Sequence, residues 1–290
     1  MSRLSSVPAP VLVLAGIVSV QFGGALAATL IPEIGAGGSV VMRLLFATVI
    51  LVAVVRPRWR GHSRAAWRTV VLFGLALGLM NFTFYGSLAH LPIGVAVTIE
   101  FLGPLLLAAA LSRRLVDLLA VLAAAVGVVL ISEALSVPFA ELDWTGLGLA
   151  ATAGACWAAY IILSGRTGAE FDKLEGLAIA MVVASIVTLP FGLASIPEWD
   201  GGLVAKGLGI AVLSSVLPYS LELVALRRMT ARVFGILLSL EPAVAAVAGL
   251  LILSQVLHRS QLVGMALVVL ASAIVIGLGA RKDPAESTGS

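Results

Sequence analysis

The feature that most constrains this chain is its punctuation: apolar runs of about twenty residues, each able to cross a ~30 Å hydrocarbon layer, succeed one another with short connections. Ten such runs are read over residues 10–31, 38–55, 69–88, 94–111, 116–132, 145–163, 177–195, 208–226, 233–253 and 261–279. Composition agrees, since 60% of the 290 residues are apolar and 11% charged, well outside what soluble domains carry. The longest stretch between runs, the basic segment 56–68, is too short for a catalytic lobe outside the bilayer. A backbone crossing lipid must satisfy its own hydrogen bonds, so the expected class is an all-α membrane protein with ten transmembrane helices.

Alternating the connections between two sides sorts the basic residues. With the N-terminus fall Arg3, then Arg56, Arg58, Arg60, Arg64 and Arg68, then Arg113 and Arg114, Arg166 and Lys173, then Arg227, Arg228 and Arg232, and finally Arg281 and Lys282. The other side keeps Lys206 and Arg259, with Arg43 just inside the second run. Cytoplasmic loops collect Lys and Arg, so both termini are expected in the cytoplasm. Acidic residues lack this bias: Glu33, Glu133, Glu141, Asp143, Glu198 and Asp200 lie outside and a similar number inside. The basic pI therefore reports orientation and not a nucleic-acid patch. Arg3, an apolar run and Ala25-Leu26-Ala27 imitate a signal peptide. The expectation is that this segment stays as the first span, because its removal would leave nine spans and invert the loop bias.

The chain also matches itself. A slide of 138 residues carries the segment from Leu91 to Pro104 onto that from Met229 to Pro242, laying Pro104 on Pro242, Asn81 on Tyr219 and Phe84 on Glu222. Gly127 falls within one residue of Gly264. Each half then holds five spans, and an odd number forces the halves to run oppositely through the membrane, an inverted-topology repeat of the kind transporters use. The expected division is residues 1–135 and 136–280 as the two five-helix repeats, with 281–290 a disordered cytoplasmic tail. Apolar helices align readily with one another; the prolines matched with glutamates close before them lift this match above that background.

Three carboxylates lie within spans: Glu100, Glu222 and Glu241. A charge at mid-bilayer costs about 2.5–3.5 kcal/mol on insertion scales, so such groups face a cavity, a partner or a proton path. Pro104, Pro218 and Pro242 cannot donate to the carbonyls of Glu100, Ser214 and Leu238, and freed carbonyls beside a carboxylate suit an ammonium group or a proton. The plainer alternative is that the prolines kink helices for packing and the glutamates are protonated structural groups, Glu222 lying close enough to Arg227 and Arg228 to be interfacial. Arg43 either snorkels, pairs with Glu33, or helps hold a carboxylate together with Glu100. Asn81 with Tyr85 (i, i+4), Trp157 with Tyr160 (i, i+3), and Gln21 complete a candidate wall, and the aromatic pair could take an ammonium by cation–π attraction. Such a stripe is otherwise packing or an interfacial belt.

No enzyme motif competes. His62, His90 and His258 stand at span ends, no H-E-x-x-H, Walker loop or G-x-S-x-G is present, and the single Cys156 offers no internal disulfide and no cysteine-based metal site. Neither a cofactor nor a metal is expected. Without an ATP site, uphill transport must draw on an ion gradient.

These residues resemble the ten-helix drug/metabolite transporter superfamily with its two EamA-type repeats, and within it the threonine/homoserine exporter family. The resemblance is carried by Ile99-Glu100-Phe101-Leu102-Gly103-Pro104-Leu105, Leu111-Ser112-Arg113-Arg114-Leu115-Val116-Asp117, Gly154-Ala155-Cys156-Trp157-Ala158-Ala159-Tyr160-Ile161, Leu213-Ser214-Ser215-Val216-Leu217-Pro218-Tyr219-Ser220-Leu221-Glu222 and Ser239-Leu240-Glu241-Pro242-Ala243. It implies a bacterial inner-membrane exporter of small amino acids working by proton antiport with alternating access, and it makes Arg43 a common arginine of the second helix. One departure is Ser254-Gln255, where many members carry Gly-Glu. Sister branches export aromatic amino acids, drugs or cysteine-pathway metabolites, so the resemblance speaks to class before cargo. The expected chemistry is exchange of a proton at Glu100 for the substrate ammonium, with Glu241 and Glu222 as relay or gate and Asn81, Tyr219 and Arg43 orienting the substrate. The alternative is an uncoupled facilitator or exchanger of the same fold, and an intramembrane enzyme or scaffold stands behind both.

Overall fold

The computed structural model describes residues 7–133, 135, 138, 142–253 and 258–280, so the expectations attached to Glu141, Ser254-Gln255 and the tail 281–290 lie outside the described residues. The described residues are helical without strands: α1 (Ala9–Ala28), α2 (Ile31–Val55), α3 (Arg64–Ser87), α4 (Ile93–Ala110), α5 (Leu115–Ser132), α6 (Trp144–Glu170), α7 (Glu175–Thr188), α8 (Gly201–Ala211), α9 (Leu217–Leu226), α10 (Ala231–Leu238), α11 (Glu241–Leu253) and α12 (Arg259–Ala280). By length and composition, six helical stretches among the described residues can cross a membrane, the one over Gly201–Leu226 joining α8 and α9. Three more are apolar but shorter, Ala9–Gly24, Gly94–Ala110 and Glu175–Phe191. The chain is a multi-pass membrane protein.

Helix starts follow local chemistry. Ser63, Asp143, Asp200 and Thr230 each accept from a backbone N–H one turn ahead, at 3.1, 2.9, 2.7 and 3.4 Å, and so cap α3, α6, α8 and α10. The Gly146 amide donating to Asp143 holds that carboxyl below the usual aspartate range. Several segments depart from the straight rods that the apolar runs suggest. At Gly35 the backbone turns to φ 72°, a region open to glycine, and bends α2 eight residues before Arg43. Between α8 and α9 residues Val212–Val216 form a single π turn. The run expected as one span over 233–253 is two half-helices, α10 and α11, separated by a turn at Ser239 and Leu240. The seventh ends early, at Thr188, and continues as two short 3-10 segments, Leu189–Phe191 and Leu193–Glu198.

The core is built where helices from distant parts of the chain meet. α3 packs on α6 and α7, α1 on the α8–α9 helix, α5 on α12, and α4 lies among α5, α6 and α10. Small residues let backbones approach closely, the usual means of holding helices together in lipid. Between α5 and α12, a Cβ on Gly127 would stand 2.8 Å from the Gly264 carbonyl and one on Gly264 would stand 2.7 Å from that of Gly127. Outward, Leu115, Leu118, Leu119 and Leu122 of α5 and Leu262, Val263, Val269 and Leu270 of α12 are exposed, an apolar face of the kind a bilayer covers.

Candidate functional site

A cavity of about 380 Å³ lies between the halves of the chain. Its wall includes Gly24 and Ile31 beside the α1–α2 turn and Leu88 and Val97 beside the α3–α4 connection, so it extends toward that end of the bundle. The polar groups on it are few and distinct: Glu100, Glu222, Glu241, Arg43, Asn81, Tyr85, Tyr219, Gln21 and Ser214, with Trp157 and Phe101 among the apolar ones.

Arg43 and Asn81 form one fixed unit. The guanidinium donates through Nη2 to the Asn81 carbonyl oxygen and stands 5.5 Å from the centre of the Tyr85 ring, within cation–π range. Asn81 in turn donates to the Leu77 carbonyl at 2.8 Å and to the Tyr219 hydroxyl at 3.3 Å. Arg43 is buried, and its Nε has no hydrogen-bond partner among the described residues. The alternative pairing with Glu33 does not occur, because Lys206 reaches that carboxylate at 2.9 Å from α8.

The three carboxylates differ in their surroundings. Tyr160, fully buried behind the wall, donates to Glu222 at 2.7 Å, so Glu222 belongs to the interior and not to the interface near Arg227. Glu241 opens α11 directly after the break, with the Gln21 amide 3.5 Å away. Glu100 lines the cavity at 8% exposure and makes no hydrogen bond or ion pair among the described residues. Its helix is seated by α6: a Cβ on Gly154 would lie 2.8 Å from the Glu100 carbonyl, and one on Gly103 would run into the Gly154 carbonyl. Trp157, one turn along α6 from Gly154, meets Phe101 edge to face at 4.8 Å.

Of the residues singled out from sequence, Glu100, Glu222, Glu241, Arg43, Asn81, Tyr85, Trp157 and Tyr219 share this one cavity, and Tyr160 stands behind Glu222. The prolines divide. Pro242 is on the wall at the start of α11; α4 continues through Pro104, whose carbonyl sits 2.8 Å from where a Gly235 Cβ would be; Pro218 packs against α1 at Gly16. In the π turn the register lengthens by one, the Leu217 N–H reaching the Val212 carbonyl. Pro218 has no N–H to donate back into this turn, and the Leu213 carbonyl accepts instead from the Ser19 hydroxyl at 2.7 Å. Ser214 on the wall escaped the sequence reading, since a serine pair before a proline looks like ordinary helix packing until the π turn is seen.

Chemically the cavity offers carboxylates for a cation or proton and a guanidinium for an anion, complementary to the two ends of a zwitterion. Among the described residues no group of three or more His, Cys, Asp or Glu could hold a metal ion.

The EamA-like transporter family matches residues 144–277. The threonine/homoserine exporter RhtA of Salmonella typhimurium (strain SL1344) is 41% identical over 267 residues, 91% of this chain and 90% of that protein. That of Escherichia coli (strain K12) is 40% identical over 265 residues, 90% and 89% of the two chains. Protein PecM of Dickeya dadantii (strain 3937) is 29% identical over 221 residues, 72% and 73%. A solved crystal structure of another protein, 16% identical, superposes with a TM-score of 0.72 over 94% of this chain and 99% of that one, which shows a common fold. With two-fifths of its residues shared along nine-tenths of its length, the chain belongs to the EamA-like transporter family, beside the threonine/homoserine exporters.

Proposed function

We propose that the protein exports small amino acids of the threonine/homoserine kind from the cytoplasm across a bacterial inner membrane, in exchange for protons and by alternating access. The observation that carries this reading is Glu100, a carboxylate on the cavity wall with no hydrogen bond or ion pair, facing a site whose one guanidinium is held in place by Asn81 and Tyr85. A zwitterion sets its ammonium on Glu100 with Glu241 beside it and its carboxylate toward Arg43. A proton and an ammonium cannot occupy Glu100 together, and that competition couples the two fluxes. Glu222 and Tyr160 close the wall, and Trp157, Tyr85 and Tyr219 shape it. The identity and chain coverage of the exporters above support the substrate class.

The architecture in this proposal is ten spans as two inverted five-helix repeats, 1–135 and 136–280, with both termini in the cytoplasm. Three contacts support it. Residues that a two-fold axis exchanges can touch only where they lie beside that axis. Thr48 and Ser185 bond at 2.8 Å with a separation of 137, Asn81 and Tyr219 at 3.3 Å with 138, and Gly127 meets Gly264. These pairs join α2 to α7, α3 to α9 and α5 to α12, helices that correspond in the repeat. With the N-terminus inside, the cavity extends outward, the conformation that receives protons and releases substrate.

The test is Glu100→Gln in inside-out vesicles and in proteoliposomes carrying a pH gradient. Wild type concentrates radiolabelled threonine or homoserine when the gradient is imposed, and the variant retains exchange but not pH-driven accumulation. Accumulation by the variant would remove Glu100 from the coupling role. A wild type that equilibrates substrate without concentrating it is an uncoupled facilitator.

A further inference from the structure

The cavity extends toward one end of the bundle, and alternating access calls for a second route at the other, which this conformation holds shut. The self-match points to its place. In an inverted repeat, residues that line the outer route in one half correspond to residues that line the inner route in the other. A slide of 138 carries Phe84, Tyr85 and Leu88, on the cavity wall of α3, onto Glu222, Leu223 and Leu226 of α9. Glu222 is already on the wall. Leu223 and Leu226 continue from it toward the opposite end of the bundle and are sealed, at 1% and 8% exposure.

What faces this stretch of α9 is α6. Tyr160 bonds Glu222, and two turns further on Gly168 lies against Arg227, where a Cβ would stand 3.0 Å from the arginine Cγ and 3.1 Å from its Nε. Ser164 is four residues from each, on the same face of α6 and so between the two contacts. Its hydroxyl is fully buried, lies off the cavity wall and has no hydrogen-bond partner among the described residues, a costly state for a polar group and one that water in the seam would relieve. Arg227 closes the far end. Its guanidinium donates to the Phe171 carbonyl at 2.8 Å and the Lys173 carbonyl at 2.5 Å, tying the end of α9 to the α6–α7 connection through backbone acceptors. Lys173 is itself held in the left-handed region, at φ 47°, and strain of this kind collects at clamps and switch regions.

We propose that the inward route for substrate runs along the seam between α6 and α9, past Ser164, Leu223 and Leu226, and that Arg227 is the latch that keeps it closed in this conformation. This rests on the amino-acid export reading and deepens it by naming the inner half of the path. Parting α9 from α6 releases Arg227 from its two carbonyls and wets the Ser164 hydroxyl, so the two changes occur together.

The experiment measures reaction with membrane-impermeant thiol reagents, one anionic and one cationic, applied to each side of vesicles holding Cys156→Ala protein with single added cysteines. Ser164→Cys and Leu226→Cys react from the cytoplasmic side, Leu88→Cys from the outer side, and Ile162→Cys, on the exposed side of α6, from neither. Adding Arg227→Gln raises the rates at Ser164→Cys and Leu226→Cys about tenfold with both reagents, as expected for the loss of a charged hydrogen bond. A mere change of local charge would move the two reagents in opposite directions. Arg227→Lys, which keeps the charge but not the fork, gives a smaller rise and serves where the glutamine form does not insert. If Ser164→Cys and Leu226→Cys never react from the cytoplasm in protein that still exchanges threonine, or if Ile162→Cys reacts as fast, the route is overturned and export stands. Rates that Arg227→Gln leaves unchanged overturn the latch. Labelling as expected in protein that carries no amino acid overturns the export reading and not the opening.

Discussion

The ion pair between Asp117 and Arg232 makes an asymmetric prediction. Asp117 stands near the start of α5 and Arg232 near the start of α10, so the pair joins the two halves of the chain at the end opposite the cavity mouth. The partners are unequally buried: the aspartate side chain is 3% exposed and the arginine 27%. In Arg232→Ala the carboxylate is stranded almost out of water, and breaking a buried pair in that way costs about 3–5 kcal/mol. In Asp117→Ala the guanidinium, already touching solvent and on a long stem, turns to water, and the cost falls to about 1–2 kcal/mol. The double variant has no stranded charge, so its loss lies near that of Asp117→Ala and the coupling energy equals the Arg232→Ala loss in magnitude, about 3–5 kcal/mol. Reversible unfolding in mixed detergent–SDS micelles, followed by tryptophan fluorescence, reads all four corners of the cycle. Equal losses in the two single variants, or additivity in the double, would refute the argument that unequal burial governs the pair.

Further expectations follow from single contacts. Gly154→Ala puts a methyl 2.8 Å from the Glu100 carbonyl, forcing α6 off α4; overpacking of this kind costs about 1–3 kcal/mol, so both the melting temperature and transport should fall. Ser19→Ala deprives the Leu213 carbonyl of its donor and should cost about 1 kcal/mol in a thermal melt, with Ser19→Thr restoring it. Asp143, capping α6 with its carboxyl held below the usual range, adds stability that is present above the unfolded aspartate pKa of ~3.9 and is lost as pH falls through the lower folded value. The margin of wild type over Asp143→Ala in melts from pH 6 to 2.5 should therefore shrink on acidification; a margin that grows contradicts the cap.

Much of the candidate site was legible because lipid makes charge scarce. With so few ionisable groups inside spans, Glu100, Glu222, Glu241 and Arg43 identified themselves, and the structure brings them to one cavity. Partners were another matter. Nothing in the string says that Lys206 takes Glu33, since the two are joined only by how α2 and α8 lie together. Irregular backbone was hidden for a related reason: the run 233–253 is apolar throughout, so hydropathy cannot see that Ser239 and Leu240 interrupt it and put Glu241 at the head of a half-helix. Likewise Pro218 was visible and the π turn was not, and with it the bond from the Ser19 hydroxyl to the Leu213 carbonyl.

The self-match deserves a different weight from the one its residues suggest. The pairs it brings into contact, Thr48 with Ser185, Asn81 with Tyr219 and Gly127 with Gly264, are hydroxyls, an amide with a phenol, and glycines. The ionisable groups are not among them: under the same slide Glu100 falls on Leu238, Glu222 on Phe84 and Glu241 on Gly103. On the proposed architecture, repetition accounts for how the halves join, while the charges proposed to meet a substrate occur once. A transporter needs that separation. The frame must be alike from both sides for two conformations to be close in free energy. A substrate with one ammonium and one carboxylate calls for carboxylates and a guanidinium at distinct positions, and a site that repeated both could not fix its orientation. It follows that substitutions at the paired residues should disturb which conformation is populated with either substrate or proton bound, whereas substitutions at Glu100 or Arg43 should change binding in a given conformation.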